Sequence, residues 1–573
     1  MQDDTTVKDR QRRESTNAIL FVSLFILFLS LAAGVLVYRM LLEPRGRFGW
    51  DESAHAFKGL LLAHDLQKRE IFAFLLDSYR QVLYPPLHSW LLAAVFLVAH
   101  PSPITAGLVG IACYVATALI LYSASFFLND HYAVLGGMVA AVLFLSSPLL
   151  MAFAPQTMLE IPGLAALSLT ILVYLRLLQA EKPARQYVWL GLGIVLTYFM
   201  RMPYGVLLAI AILVFQVIDV RFRVLALLNR RNVWLVTPMV IVFLGWFAYP
   251  PKLTSTWTWL LNYPNIEDPY SVQGWLFYPY ATVRMAGSIW MFVVLVAAFI
   301  YVVWRYRGNR RVLLLTVVIG TQLLIGELYH NKQDRYLFPM LPPLYLLAGL
   351  ACADLWWRNN EAKDVFRFWL PRVLTLLVLA LALTSYAQIL QDVSVGRSMD
   401  MTDAEEIAAY IKEGESTLVI GSMDLSTPDP PTLDWYLVME TGVLEAPLAG
   451  SSAQIEEERR IRALLSRIPI PARWNNRIGS QLARYDRPGG TRTLYLGLPR
   501  RASYSQSPEG FDAFFQQMAR AGTIDRVVVV TSTRSSASYP LEYVSSSFDK
   551  AGFEHSESQM FENLQIRIDV YDQ

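Results

Sequence analysis

The chain has 573 residues, of which 54% are hydrophobic and only 17% carry a charged side chain. Because soluble domains usually contain about 25% charged residues, this composition excludes an ordinary soluble protein and indicates a chain that lies largely in a membrane. The formal net charge of +2 is too small to favour a nucleic acid as partner. The two cysteines, Cys113 and Cys352, lie inside apolar runs, so the sequence encodes no disulfide framework.

Long apolar runs predict about eleven membrane-spanning helices, since each crossing needs roughly 20 apolar residues. The first run, 18–41, follows a basic N-terminal tail at 1–17 and lacks the short core and cleavage site of a signal peptide. We therefore predict an uncleaved anchor with its N-terminus in the cytoplasm. The other predicted spans are 103–128, 132–154, 161–178, 187–200, 203–219, 233–250, 283–304, 312–329, 336–354 and 366–390.

Residues 87–100 form an apolar run that is too short for a full crossing. With a rise of about 1.5 Å per residue the run reaches only about 21 Å, whereas the hydrocarbon core is about 30 Å thick. We predict a half-inserted segment here. The Lys- and Arg-rich loops at 182–185, 221–231, 305–311 and 358–367 then all fall in the cytoplasm, as the positive-inside rule requires.

The composition changes after the predicted transmembrane domain, 18–390. An odd number of crossings places the remaining residues, 391–573, on the outer face. Helix patterns alternate there with short apolar strands, which predicts a soluble α/β domain. The predicted helices are "TDAEEIAAYIKEG", capped by Thr402 with Glu405 three residues later, "FDAFFQQMARAG" and "PLEYVSSSFDKAG"; the predicted strands are "STLVIGSMD", "DRVVVVTST" and "QIRIDVYD", the last at an edge.

Two adjacent acids, Asp51 and Glu52, stand in the first outer loop, 42–86. Acids suit the first turn of a helix, so the pair indicates either a helix start or a catalytic base at the membrane boundary. Downstream, "IFAFLLDSYRQVL" predicts an amphipathic helix in the interface plane, although an ordinary amphipathic loop is the alternative. The loop closes with "YPPLHSW", whose side chains Tyr84, Pro85, Pro86 and His88 are candidates to line a site.

A second acid, Glu160, lies in "APQTMLEIPGL" between two apolar runs on the same predicted face as Asp51. An ionisable residue held against two spans is costly, which makes it a functional candidate; the alternative is a short outer turn. Cations on that face complete the set, although Arg and Lys near a membrane edge can also simply snorkel. They are Arg201, His330, Lys332 and Arg335.

Acids and cations on the outer face suit transfer from a lipid-linked phosphosugar. Arginine contacts phosphate through two nitrogens and lysine offers a point charge, so the cations would stabilise the leaving phosphate. A carboxylate would take the proton of the attacking acceptor hydroxyl. A single base with a single attacking hydroxyl predicts one displacement with inversion at the sugar carbon.

The order of these motifs resembles the membrane glycosyltransferases of the GT-C fold. The similar stretches are the acid pair, "YPPLHSWLLA", "SSPLLMAFAPQTMLEIPGLAALSL" and "RYLFPMLPPLYLLAGLA", within roughly 15–355. They are most similar to the dolichyl-phosphate-mannose protein mannosyltransferase family and the bacterial aminoarabinose transferases. The resemblance implies a hexosyl- or pentosyltransferase of the bacterial cytoplasmic membrane that takes a polyprenyl-phosphate sugar as donor and a protein, lipid or glycan as acceptor.

The resemblance also implies roles for single residues. Asp51 corresponds to the family's catalytic carboxylate, with Glu52 beside it, and Glu160 corresponds to the second acid. Arg335 matches a late Arg-Tyr motif near the lipid phosphate. The sequence departs from the family in two ways: the second acid is usually Asp, and the residue before Pro-Pro is often His or Lys but is Tyr84 here. Arg201, Lys332 and Arg335 are then left to hold the phosphate.

Other functions stay open at this point. A multi-span transporter would also bury charges, but the sequence shows neither repeated halves nor a glycine-broken helix pair. A metal-dependent hydrolase could use His55, His64 and His88, although their spacing matches no metal-binding helix motif. A relative that keeps only the fold is a third alternative. A Mg or Mn ion that bridges Asp51 and Glu160 to the donor phosphate is a further expectation.

Overall fold

A computed structural model describes the helical part of the chain and five strands of its C-terminal part. The described residues are 3–45, 48, 50–81, 84–129, 133–179, 182–248, 252–253, 256, 270–329, 332–358, 365–392, 416–422, 492–498, 526–532, 548–561 and 566–572. The chain divides into two compact units. The first contains Met1–Gly46 and Ser78–Gly396, and the second contains Arg47–Asp77 and Arg397–Gln573. The functional boundaries 18–390 and 391–573 stay predictions.

The helices follow one another through most of the first unit, and Trp50–Gln67 with the start of Ile71–Arg80 belongs to the second. A π-helical turn, Tyr38–Leu42, extends the first helix, and a 3-10 helix, Asp334–Met340, precedes the helix Leu341–Arg358. In chain order the helices are α1 (Asp3–Val37), α2 (Trp50–Gln67), α3 (Ile71–Arg80), α4 (Leu87–Val98), α5 (Pro103–Leu128), α6 (Ala133–Leu145), α7 (Pro148–Phe153), α8 (Glu160–Gln179), α9 (Tyr187–Met200), α10 (Met202–Asp219), α11 (Arg230–Phe247), α12 (Val272–Ala286), α13 (Ile289–Arg305), α14 (Arg310–Leu328), α15 (Leu341–Arg358) and α16 (Val365–Asp392).

A multi-pass membrane protein is confirmed, while the exact number of crossings stays a prediction. Among the described residues, 6 segments are long and apolar enough to span a bilayer, or up to 7 if a bent pair counts as one. They are Ile19–Leu42, Pro103–Leu128, Glu160–Gln179, Met202–Asp219, Arg310–Leu328 and Asp334–Trp357. Leu87–Val98, the predicted short segment, is an apolar helix of 12 residues, about 18 Å long.

Two predicted runs differ from the structure because the backbone breaks inside them. The run 132–154 is divided into α6 and α7, since Pro148 cannot continue a helix from upstream and instead begins the next one. The expectation that no helix pair is broken at a glycine is wrong. The α12 and α13 axes differ by 103°, and Gly287 between them has a φ of 82°, a left-handed conformation that favours glycine.

The core of the first unit is built around α15. Its segment Asp334–Trp357 is buried over the whole of its most apolar window, and α6 packs along it while α5 packs on both α6 and α8. Wholly buried apolar side chains such as Phe144, Leu164 and Leu347 belong to this core. The sequence "RYLFPMLPPLYLLAGLA" therefore begins at the 3-10 helix and continues into the most enclosed helix of the described unit.

The second unit contains the predicted C-terminal sheet, which is confirmed. Its strands are β1 (Ser416–Ser422), β2 (Arg492–Leu498), β3 (Arg526–Ser532), β4 (Glu554–Phe561) and β5 (Ile566–Asp572), in the order β2-β1-β3-β5-β4. The β1 strand is parallel to β2 and β3, whereas β5 is antiparallel to β3 and β4. Of the predicted tail helices, 548–551 is helical; Thr402, Glu405 and "FDAFFQQMARAG" lie outside the described residues.

The prediction of an edge position for "QIRIDVYD" is wrong. This segment is β5, which pairs with β3 on one side and β4 on the other. The outer strand of the described sheet on this side is β4, whose sequence "EHSESQMF" is too polar to be recognised as a strand. An interior strand can alternate apolar and polar residues when only one face of its sheet is buried.

Candidate active site

The predicted acid Glu160 is the first residue of α8 and is completely buried, with 0% of its surface exposed. Its Oε1 atom accepts a hydrogen bond from Arg201 Nη2 at 2.9 Å, and Arg335 Nη1 lies 3.5 Å from the same oxygen. Three residues predicted as site members, from distant parts of the chain, thus meet in the first unit. We refer to Glu160, Arg201 and Arg335 as the carboxylate cluster.

Arg201 is held at the break between two helices. It follows the last residue of α9 in an extended conformation, with φ of −147° and ψ of 103°, and Pro203 then helps begin α10. Its backbone N–H donates to Thr197 at 2.8 Å. Burial by itself lowers the pKa of the Arg201 guanidinium, but the neighbouring Glu160 more than offsets this, so the pKa lies above its ordinary value. Arg201 is therefore a permanent buried cation.

Gly163 allows this close approach of α8 to Arg201. A Cβ atom at residue 163 would lie 2.7 Å from Arg201 Cβ and 2.8 Å from a ring carbon of Tyr204. Both distances are shorter than real carbon contacts, so any side chain at this position would displace the arginine or the tyrosine ring. The helix containing Glu160 and the break containing Arg201 fit together only because residue 163 has no side chain.

Arg335 is fixed through the 3-10 helix on which it lies. Tyr204 Oη donates to its carbonyl oxygen at 3.0 Å, and Gln322 donates to the next carbonyl, that of Tyr336. The guanidinium Nε donates to Gln333 Oε1 at 2.6 Å. The Arg335 side chain keeps 18% of its surface exposed, against 7% for Arg201. Of the two arginines, Arg335 is therefore the one that an incoming anion can reach more easily.

Lys332 is close in sequence to Arg335 but has its own counter-ion. Its Nζ atom donates to Glu327 Oε2 at 2.7 Å and to the Glu327 carbonyl oxygen at 3.0 Å. The same nitrogen lies 4.9 Å from the centre of the Tyr278 ring. Since Glu327 already balances its charge, Lys332 is less suited than Arg335 to binding a phosphate.

The remaining predicted site residues are placed less completely. Pro85, Pro86 and His88 are buried at the start of α4, and the half-buried Tyr84 lies close enough to interact electrostatically with Arg201. Within α2, Glu52 is buried, whereas the side chain of Asp51 lies outside the described residues, as does His330. Because α2 belongs to the second unit, the meeting of Asp51 with the carboxylate cluster stays a prediction.

The carboxylate cluster contains polar atoms that the described part of the chain does not satisfy. Glu160 Oε2 and Arg201 Nε are buried and have no hydrogen-bond partner there. Buried polar atoms nearly always have a hydrogen-bond partner, so two such atoms without one in the same place indicate a ligand or water there. The cluster offers one acceptor and one donor to such a group, beside the more exposed guanidinium of Arg335.

A protein-family model matches the part of the chain that contains two members of the carboxylate cluster. Residues 84–249 match the family model for dolichyl-phosphate-mannose-protein mannosyltransferase, a range that includes Tyr84, Glu160 and Arg201. No curated protein sequence matches the chain.

Solved structures show the fold. ArnT from Cupriavidus metallidurans bound to undecaprenyl phosphate superposes with a TM-score of 0.56 at 13% identity, covering 95% of this chain and 97% of that one. The chain has the GT-C fold. Apo ArnT from the same organism gives a TM-score of 0.58 at 14% identity, with the same coverage of both chains. The oligosaccharyltransferase AglB from Archaeoglobus fulgidus reaches only 0.48 at 11% identity, covering 88% and 69%.

In this GT-C chain, the surroundings of Glu160 do not suit a divalent cation. Two guanidinium groups already lie at its Oε1 atom and would repel a further positive ion. Among the described residues, no group of three or more His, Cys, Asp or Glu side chains could hold a metal. The expected Mg or Mn ion at Asp51 and Glu160 stays a prediction, and the reaction proposed below includes no step through it.

Several residues of the site were missed in the sequence of this GT-C chain. Glu327 carries a detectable signal, because it is an acid inside a predicted span and such residues are functional candidates. Tyr204 and Gln333 carry none, since a tyrosine in an apolar helix and a glutamine in a polar loop are ordinary. Their importance arises from the hydrogen bonds that fix Arg335.

Proposed function

We propose that the chain transfers a sugar from a polyprenyl-phosphate donor to an acceptor hydroxyl at the outer face of the cytoplasmic membrane. The observation that carries this proposal is the convergence of two arginines on one buried carboxylate at the membrane edge of a GT-C fold. The structural relative ArnT was solved with undecaprenyl phosphate, which has the lipid phosphate that such arginines would bind.

Arg335 is the proposed main contact of the donor phosphate. Its guanidinium is partly exposed, its backbone is pinned by Tyr204, and its planar group suits two hydrogen bonds to phosphate oxygens. Arg201 supports it from the buried side. As the sugar–oxygen bond breaks, negative charge grows on the phosphate, and fixed cations stabilise that growth without reorganising.

Glu160 is proposed to position these arginines rather than to act as the base. Glu160 is completely buried and its Oε1 atom already contacts two guanidinium groups, so an acceptor hydroxyl would have to enter the interior of the fold to reach it. Paired with Arg201 at 2.9 Å, it fixes where the guanidinium points. Asp51, with Glu52 beside it, is left as the proposed base.

The proposed reaction is a single displacement. The acceptor oxygen attacks the anomeric carbon, and a new carbon–oxygen bond forms while the bond from that carbon to the phosphate oxygen breaks. The polyprenyl phosphate leaves with the bonding electron pair, and the proton of the acceptor hydroxyl passes to the Asp51 carboxylate. Attack from the side opposite the leaving phosphate inverts the anomeric configuration.

Transfer of labelled sugar tests the proposal directly. Purified full-length chain in liposomes would be given polyprenyl-phosphate hexoses and pentoses with candidate acceptors, and product formation would be followed. We expect Asp51→Asn and Arg335→Met each to lower the rate by about 100-fold or more. Arg39→Met is the matched control, because Arg39 is exposed and pairs with Glu43 one turn further along its own helix.

Two results would contradict the proposal. The first is that both Asp51→Asn and Arg335→Met transfer the sugar at the rate of the parent. The second is uptake of a labelled solute into the liposomes without any glycosylated product, which would favour the transporter alternative. The bent α12–α13 pair gives that alternative a structural basis, since transporters often place their sites at broken helices.

A further inference from the structure

Lys252 has a buried amine that the proposed reaction does not use. It lies five residues beyond the end of α11, and 0% of its surface is exposed. Within the described part of the chain, its Nζ atom has no hydrogen-bond partner. Lysine is almost never fully buried without a partner, so this arrangement needs an explanation.

Aromatic rings surround the amine. Nζ lies 3.6 Å from the centre of the Tyr79 ring and 2.9 Å from that of Trp246. The two rings are nearly perpendicular, with centres 5.9 Å apart, and Tyr79 Oη donates to the Gly245 carbonyl at 3.0 Å. We call Lys252, Tyr79 and Trp246 the lysine cage. Ring faces attract an ammonium group but do not replace the hydrogen bonds that it makes in water.

The lysine cage lies close to the carboxylate cluster within the first unit. The Trp246 ring is 4.9 Å from that of Phe199, and Phe199 precedes Arg201 by two residues. Trp246 also packs in one apolar cluster with Tyr198 and Met202, the latter adjacent to Arg201. An amphiphilic molecule at this edge of the fold could therefore meet both groups of cations.

Among the described residues, no opposite charge pairs with Lys252. Burial lowers the pKa of its amine to about 6, with no contribution from a neighbouring charged group; Tyr79 is the titratable side chain against it. Lys332, by contrast, has Glu327 at 2.7 Å. A lysine that served only to pack the fold would be replaced at a gain in stability by an apolar side chain of the same length.

We propose that the lysine cage is a second anion-binding site, which takes a phosphate monoester separately from Arg335. The anion would supply the missing counter-ion and the missing hydrogen bonds. The half-buried Tyr79 ring forms the outer wall and has to turn aside to admit the ligand. Apolar aromatic walls beside the membrane edge suit the headgroup of an amphiphile, and free phosphate offers the same chemistry without the apolar chain.

Titration calorimetry on the full chain in dodecyl-maltoside micelles tests this site, with farnesyl phosphate, inorganic phosphate and farnesol as probes. We expect the parent to bind two farnesyl phosphates, Lys252→Met one, and Lys252→Arg two. Running the titrations near neutral pH in two buffers of different ionisation heat should show proton uptake by the parent that Lys252→Met lacks. The matched control is Lys68→Met, because Lys68 is exposed.

The outcomes separate this inference from the proposed function. Two sites in Lys252→Met, or farnesol binding as tightly as farnesyl phosphate, would overturn the inference. Arg335→Met that still binds two farnesyl phosphates would count against the proposed donor contact while leaving the lysine cage standing. Tighter binding of farnesyl phosphate than of inorganic phosphate assigns the site to a lipid headgroup, and equal binding assigns it to free phosphate; both support a phosphate site.

Lys252→Met should fold at least as well as the parent, because it removes a buried amine without a partner and keeps the length of the side chain. Its thermal unfolding temperature is therefore expected to equal or exceed that of the parent while one binding site is lost. A lower unfolding temperature together with unchanged binding would show that the lysine only supports the fold, which would overturn the inference.

Discussion

The carboxylate cluster and the lysine cage bury their charges in opposite ways. In the cluster, Glu160 lies between Arg201 and Arg335, and each group has a partner of opposite sign. In the cage, the described groups that face the Lys252 amine are the rings of Tyr79 and Trp246. The two sites belong to the same unit and are linked through the contact between the Phe199 and Trp246 rings, so a difference in position does not explain the contrast.

The contrast shows how a fold can prepare two kinds of binding site. A buried ion pair fixes the direction of its guanidinium groups before any ligand arrives, and its removal leaves a charge that the interior cannot tolerate. A buried amine without a counter-ion loses its proton at neutral pH, which costs stability, and it regains the proton when an anion binds. The first arrangement suits a site that must be rigid, and the second suits a site that is filled only when its ligand is present.

Breaking the carboxylate cluster should have the largest effect. Arg201→Met leaves Glu160 buried with only the more distant Arg335 nearby, and loss of one partner of a buried pair costs about 3–5 kcal/mol. We expect the free energy of unfolding to fall by this amount and transfer activity to be lost. Denaturant unfolding of the purified variant measures the first effect.

The double variant Arg201→Met with Glu160→Gln sharpens this test. Removing both charges should recover most of the lost stability, because the completely buried carboxylate is no longer left without Arg201, but it should not recover transfer. A double variant as unstable as the single one would show that the arginine stabilises the fold through packing rather than through its charge.

Gly163→Ala should have the next largest effect. The added methyl group overlaps Arg201 Cβ and the Tyr204 ring, and overpacking of this kind costs about 1–3 kcal/mol. A displaced catalytic group can lower a rate by about 100-fold. We therefore expect kcat to fall strongly while the unfolding temperature falls only modestly. Gly320→Ala is the control, since its Cβ meets nothing within 4 Å.

The lysine cage should show itself as a pH dependence of stability. Because the pKa of Lys252 is about 6 in the folded chain and about 10.4 when unfolded, the unfolded state binds the extra proton between these values. Stability of the parent should therefore rise relative to Lys252→Met by up to about 1.4 kcal/mol per pH unit across this window. Below about pH 6 the free energies of unfolding of the two proteins should change with pH in parallel. If the two free energies of unfolding changed in parallel over the whole pH range, the buried amine would have to stay charged.

Tyr204→Phe should have the smallest effect. It removes one hydrogen bond to the Arg335 carbonyl, worth about 0.5–1.5 kcal/mol, and keeps the ring that packs near Gly163. We expect a small loss of stability and a measurable rise in KM for the donor, because the 3-10 helix is less well fixed. An unchanged KM would indicate that Gln322 alone holds this backbone.

The general architecture could be predicted because its signals are local. Apolar runs predicted a multi-pass membrane protein, and alternating strands predicted the C-terminal sheet. The exact breaks were harder to predict. The bend at Gly287 depends on one left-handed residue, and "EHSESQMF" becomes β4 only because β5 pairs with it. Tertiary pairing, rather than strand propensity, decided that assignment.

The candidate site was predictable to a similar extent. Glu160, Arg201 and Arg335 are ionisable residues at the ends of apolar runs, so the cost of placing them there marks them as candidates. Lys252 has the same kind of position, yet nothing in "YPPKL" predicts that the amine turns inward beneath Tyr79. Snorkelling is the usual behaviour of such a lysine, and only the folded arrangement shows the exception.

The carboxylate cluster also has a consequence for turnover, since Glu160 neutralises one of its two arginines and one positive charge is left over. A sugar phosphodiester carries a single negative charge, but the lipid phosphate released from it carries about 1.5 to 2 at neutral pH. The spent carrier should then be held more tightly than the donor. In the proposed reaction, departure of the carrier rather than bond cleavage would limit the rate, and added polyprenyl phosphate should inhibit most strongly at low ionic strength.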